Sequence, residues 1–274
     1  MTPPAKEVGV ARVVLTIDPG NIDPKLMANA ARLAQAYDAE LVGLFVKIQD
    51  FINLAELPFT RTVVAPTGQI KPLEKLDMEK ILDDKASRAE KSLSEQAARR
   101  NLRWSFQAHT GYAEDIVADH TTGRDIVSLS GAAALTIRKV AERHQHPAMV
   151  ITQRGLEGNQ PVIVVYEGQA ATLSVGRQIA SSLGVEMSVL VASEQEADQT
   201  RYRTNARAWL RRNDTSADVD ILDQGDHESL LRRMAASRPG LVVLSSDGPI
   251  GTLLLRQLER EEPSSPLLLI GGQS

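Results

Sequence analysis

The chain reads twice, and that doubling constrains its fold more than any other feature. The run VVLTIDPG, Val13 to Gly20, is mostly apolar and ends on an acid followed by a breaker of regular structure. VIVVYEG, Val162 to Gly168, repeats the pattern; setting Val13 against Val162 places Asp18 on Glu167, with Pro19 and Gly168 as the breakers. After the first run, Asp23 can cap a helix that starts on Pro24 and carries Leu26, Met27, Ala30, Leu33, Ala34 and Tyr37 at helical spacing. After the second, Leu173, Val175, Ile179, Ala180 and Leu183 recur likewise until Gly184 stops them. Each helix leads into another apolar strand, Glu40–Val46 in one half and Glu186–Ala192 in the other.

The correspondence continues. Leu102, Trp104, Phe106 and Ala108 alternate as a half-buried strand does, and so do Val219 and Ile221. Gly111 and Gly225 each fall just past such a strand and just before a helix. Asp125–Gly131 corresponds to Leu241–Gly248, and each half closes on an apolar strand after a proline, Pro147–Thr152 and Pro266–Ile270. Strands alternating with helices predict right-handed crossovers and a parallel sheet. The expected fold is α/β: two similar domains, residues 1–155 and 160–274, each a five-stranded parallel sheet flanked by helices, joined through the polar linker Gln153–Pro161. An excursion at 47–72, with three prolines and no steady period, reads as a surface segment with short helical pieces that covers a crevice or a partner surface. Glu74–Arg100 reads as an amphipathic helix with Leu76, Ile81, Leu82, Ala86, Ala89 and Leu93 inward.

Composition narrows the function classes. A formal charge of −4 over 274 residues gives no general attraction to nucleic acid or to an anionic membrane. The chain has no cysteine, which removes disulfides, thiol catalysis and Cys-ligated zinc and fits a reducing compartment. No apolar stretch reaches the roughly 18–20 residues of a membrane span, and MTPPAKEVGVAR lacks the apolar core of a signal peptide. A cytoplasmic location is the expectation. No HExxH or EF-hand spacing occurs, and the close pair His144 and His146 suits a helix end better than a metal, so no metal site is expected. Gly-x-Ser-x-Gly is also absent, and no catalytic residue is assigned. The basic run Arg201–Arg212 reads as a solvated helix face balanced by Glu194, Glu196 and Asp198.

In open parallel sheets, ligands bind beyond the carboxyl ends of the strands. Asp18, Glu167, Gly111, Ser130 and Ser246 fall there. An acid at a strand mouth can accept hydrogen bonds from a ligand, although Asp-Pro-Gly is also turn chemistry.

The run VVLTIDPG with its helix, ELVGLFV, the segment HTGYAEDIV and the doubled order of elements together resemble the universal stress protein family over nearly the whole chain. The resemblance implies a Rossmann-like fold and a stress-linked regulatory or binding role. In members that bind ATP, an acid ends the first strand, and Gly-x2-Gly-x9-Gly-Ser/Thr follows the fourth. It therefore implies an adenine nucleotide over Asp18, Pro19 and Val46, with Gly111, Ser130 and Gly131 in one half and Glu167, Ser246, Gly248 and Gly251 in the other. The motif is incomplete in both copies. Gly248 and Gly251 fit its start, but Glu261 and Glu262 stand where Gly-Ser is required, and Gly131 has no second glycine three residues on, so Gly248-Pro249-Ile250-Gly251 reads first as a plain turn and helix start. Family members pair through their last strands, which implies Ala148–Ile151 beside Leu267–Ile270 in an internal pseudo-dimer, with whole-chain oligomers and an unidentified protein partner as further expectations. A weak nucleotide hydrolase is the alternative, and a ligand-free interaction scaffold is a further one.

Overall fold

The computed structural model describes residues 10–20, 22–55, 57, 59–64, 68–72, 75–129, 148–151, 159–222, 227–258 and 265–271. β1 (Arg12–Ile17) is almost wholly buried. Asp23, in extended backbone, accepts a hydrogen bond from Lys25 N (2.8 Å) and so satisfies a donor that the start of a helix leaves open. α1 (Pro24–Tyr37) follows and leads into β2 (Glu40–Ile48). Next come α2 (Gln49–Ala55), β3 (Arg61–Val64), β4 (Gln69–Pro72), α3 (Lys75–Ala98), β5 (Trp104–Gly111), α4 (Ala113–His120), β6 (Asp125–Leu129) and β7 (Ala148–Ile151). The remainder runs β8 (Val162–Tyr166), α5 (Ala170–Leu183), β9 (Met187–Val191), α6 (Glu196–Arg212), β10 (Asp218–Ile221), α7 (His227–Ser237), β11 (Leu241–Ser245), α8 (Pro249–Leu258) and β12 (Leu267–Ile270).

The large sheet has ten strands in the order β10-β9-β8-β11-β12-β7-β6-β1-β2-β5. Within each half the order is third-second-first-fourth-fifth, and every pairing inside a half is parallel. The halves meet through one antiparallel pair, β7 with β12, in the register Leu267 to Ile151 and Leu269 to Met149. The two five-stranded sheets are thus one continuous surface. Its two faces carry separate cores. One gathers Leu26, Met27, Leu93, Leu173, Ile179 and Leu210; the other gathers Ile116, Val117, Leu230, Met234, Ile250 and Leu254. Each core spans both halves, with α1 packed on α5 across the join. At about 1.5–3 kcal/mol for each fully buried large apolar side chain, these faces supply the main favourable term of the fold.

Three expectations are corrected. The excursion at 47–72 holds one short helix, α2, and then an antiparallel hairpin of β3 and β4, in place of helical pieces alone. In α3 the inward side chains are Leu82, Ala86, Ala89, Leu93 and Ala97, whereas Leu76 is 65% exposed and Ile81 42% exposed. β5 is the sheet's edge on its side, so Trp104 and Ala108 face solvent while Phe106 packs on the core.

Candidate functional site

Parallel strands within a half put their carboxyl ends on one rim. In the first half, Ile17 of β1 pairs with Phe45 of β2, and Ile48 of β2 pairs with Gly111 of β5. Asp18, Val46 and Gly111 therefore share that rim. Asp18 is exposed, and its carboxylate accepts a hydrogen bond from Gly20 N in an Asx turn. Pro19 is buried, and its carbonyl accepts from Lys85 Nζ of α3 (2.7 Å). The Val46 side chain is buried in the core, so it presents only backbone to the rim. A Cβ on Gly111 would stand 3.3 Å from Ile116 Cδ1, which fits glycine at this tight entry to α4. Ser130 and Gly131 lie outside the described residues.

The second rim is built differently. β8 lies beside β11, and α8 rises from the end of β11. Glu167, one residue past β8, is 8% exposed and lies against the start of α8. Its Oε1 accepts from Ile250 N at 3.0 Å. This is one of the free N–H groups that make a helix start an anion site, and the helix dipole adds to the attraction. Gly248 permits the approach, because a Cβ there would come within 2.0 Å of Glu167 Oε2. Gly251 is needed for a different contact: its Cβ would meet the Ser245 carbonyl oxygen at 1.8 Å. Ser246 is already engaged, its N and Oγ both donating to the Ile270 carbonyl (2.9 and 3.2 Å). The structure thus brings Glu167, Ser246, Gly248 and Gly251 together, with the chain's own carboxylate on the start of α8.

Glu167 pays for this position electrostatically. Burial raises its pKa above the ordinary value of 4.5, and the hydrogen bond from Ile250 N offsets part of that rise. Its Oε2 is buried with no hydrogen-bond partner. Gly248-Pro249-Ile250-Gly251 reads in the sequence as a plain turn and helix start ahead of a phosphate loop, and α8 starts there. The contact of Glu167 with that start leaves no signal in local spacing.

A histidine pair also stands in the first half. His109 of β5, opposite Val46, lies against His120 of α4 with ring centroids 4.1 Å apart and the rings tilted by 47°. Burial, and then the neighbouring His120 ring, lower the His109 pKa. Among the described residues no group of three or more side chains could hold a metal ion, and no helix is long and apolar enough to cross a membrane.

The fold has counterparts among solved structures. The chain is similar to a universal stress protein from Archaeoglobus fulgidus DSM 4304 at TM-score 0.63 and 11% identity, covering 94% of this chain and 96% of that one. The fold is that of the universal stress proteins. A functionally unknown protein from Pseudomonas aeruginosa PAO1 is similar at TM-score 0.60 and 14% identity, over 96% of this chain and 93% of that one. The cytoplasmic domain of a prokaryotic cation chloride cotransporter is similar at TM-score 0.55 and 12% identity, over 96% and 95%. At the level of sequence, no family model and no curated protein matches the chain. The universal stress fold is therefore legible here through arrangement, at an identity too low to carry residue roles across.

Proposed function

We propose that the protein is a regulatory binding protein of the universal stress type, cytoplasmic and without turnover of its own, whose ligand rim is in the first half. The observation that supports this reading is the contrast between corresponding acids: Glu167 is turned onto α8 and buried, whereas Asp18 stands exposed. The favoured ligand is an adenine nucleotide, with its hydroxyl or amine groups donating to Asp18 and the backbone near Val46 beneath it. Turnover would require a base, a metal or an oxyanion donor facing the phosphates, and the helix start of the second rim is taken by Glu167. The test is equilibrium dialysis with labelled ATP, together with release of any bound nucleotide on denaturation, read by absorbance and mass. Retention that is lost in Asp18→Ala and kept in Glu167→Ala is expected. No retention at millimolar ATP overturns the reading, and phosphate release that vanishes in Asp18→Ala points to a weak hydrolase instead.

A second reading is favoured by the surface of the excursion. Phe51, Leu54, Phe59, Val63 and Ile70 are exposed there, Phe59 to 74%. Clustered exposed apolar groups mark interaction surfaces, and the cotransporter similarity supports a role beside a larger machine. In this reading an apolar protein surface docks on α2 and the hairpin. Pull-down profiles unchanged on deletion of residues 57–72 would count against it.

A further inference from the structure

The two edges of the ten-stranded sheet are guarded unequally. β10, at one edge, has four residues and carries Asp218 and Asp220, both exposed. Shortness and charge are how edge strands avoid pairing with another chain. β5, at the other edge, has eight residues, WSFQAHTG, with no Asp, Glu, Lys, Arg or Pro among them. It pairs with β2 from Trp104 to Gly111 in one unbroken register, with no bulge to turn the edge away. Leu41 N donates to the Arg103 carbonyl (2.9 Å), so Ser105, Gln107 and His109 turn their backbone groups to β2 in the same way. Trp104, Phe106, Ala108 and Thr110 turn theirs outward, where no described strand meets them. The ends of this edge are opposite in charge. Arg103, exposed, precedes the strand, and Asp115, exposed, lies in the first turn of α4 just beyond it. Two exposed aromatic rings also flank it, Trp104 at its start and Tyr112 just past its end.

We infer that β5 pairs antiparallel with β5 of a second copy of this chain, about a two-fold axis at Gln107. A strand without acids or strong bases sets no like charges against itself. The register places Trp104 opposite Thr110 and Phe106 opposite Ala108, so the outward backbone groups of each strand meet those of the other. Arg103 then falls opposite Gly111, on the side of the partner's Asp115, and opposite charges meet at both ends. Trp104 lies diagonal to the partner's Tyr112 on the same face, within reach of an aromatic side chain. The assembly closes as a dimer, because the acids of β10 oppose the addition of a further copy at the other edge. This surface is built from other elements than the rim of Asp18 or the hairpin of β3 and β4, and it depends on neither reading.

Sedimentation velocity of the full chain, from about 1 to 100 μM, is the test, and a reversible monomer–dimer equilibrium is expected. Ala108→Pro removes an outward N–H while leaving the ladder with β2 intact, and should weaken dimerisation at least about 10-fold. Ala108→Lys, which sets a charge on the exposed edge, should act in the same direction. Arg103→Glu and Asp115→Arg should each weaken the dimer and the double variant should restore it, a recovery that no folding defect imitates. Thermal unfolding of each variant checks that it is folded. Deletion of residues 57–72 should leave the dimer in place. A monomer at every concentration overturns the proposal, and so does a dimer indifferent to both Ala108 variants. Loss of the dimer with residues 57–72 overturns it in favour of the hairpin, and failure of the double variant to recover overturns the antiparallel register.

Discussion

The two halves share a strand order but exchange their open and closed ends. In the first half the amino edge is shut: Arg12 donates twice to Asp125, which is wholly buried and also accepts from Thr122 N and Oγ1. At its carboxyl rim, among the described residues, Asp18 is exposed. In the second half the carboxyl rim is shut by Glu167 on α8. By the strand registers, Arg12 and Asp125 correspond there to Pro161 and Gly240, which carry no charge, and the amino edge opens on a cavity of about 270 Å³ lined by Gln160, Val162 and Gly240 together with Arg32 and Arg100 of the first half. The backbone plan is common to both halves. Which end can take a ligand is decided by a few side chains at strand ends, as expected when function is grafted on a scaffold.

The largest effect should come from Gly251→Ala. Its Cβ would collide with the backbone of Ser245 and Ser246, which cannot move without displacing β11 or α8. A loss of about 3 kcal/mol or more is expected in denaturant unfolding. A loss under about 1 kcal/mol would mean that the second rim is looser than described. Next in size is Arg12→Ala, which strands the buried Asp125 carboxylate with only its Thr122 donors. The guanidinium is part-exposed, so the cost should be about 3 kcal/mol, at the low end of the range for breaking a buried pair. A cost near zero would show that the first half's amino edge is not closed by charge.

Much of this fold was legible in the sequence because burial leaves a period. β1 and β8 are continuous apolar runs, as strands covered on both faces must be, and α1 and α5 carry their core residues at helical spacing. The hairpin of β3 and β4 was not legible: its strands pair only with each other, so Val63 and Ile70 stay exposed and no alternation is imposed. Leu76 and Ile81 fit the helical period of α3 but lie on a face left uncovered. The partner of Glu167 is 83 residues away, a contact set by which strands are neighbours and invisible to local spacing.

The pH dependence of Glu167→Gln sharpens the contrast between rims by a smaller amount. The folded state raises the pKa of Glu167, so it binds a proton more tightly than the unfolded chain does. The stability that this proton linkage contributes is complete below the ordinary value of 4.5 and is lost as pH rises through the folded value. Glu167→Gln should therefore gain on the wild type between about pH 4.5 and neutrality, read as the difference in melting temperature across pH. A gap that is constant with pH would place Glu167 in water and the second rim open.

The smallest expected effect tests whether the halves also differ in strain. α1 ends on Asp38 and α5 on Gly184, both left-handed, at φ 50° and 65°. In each case the cap N–H donates to the last turn, Asp38 to Ala34 and Gln35, Gly184 to Ala180 and Ser181. An L-residue in this conformation crowds its Cβ against the backbone, a strain glycine avoids, although aspartate tolerates it better than most. Glycine also loses more freedom on folding, which offsets part of the gain. Asp38→Gly should stabilise the chain by about 0.5 kcal/mol, and Gly184→Asp should cost about as much, both measured by denaturant midpoint. If Asp38→Gly destabilises instead, the exposed carboxylate is contributing more than its backbone costs. The two helix ends would then be equivalent in geometry alone, and the first half would hold an acid kept for something other than the turn.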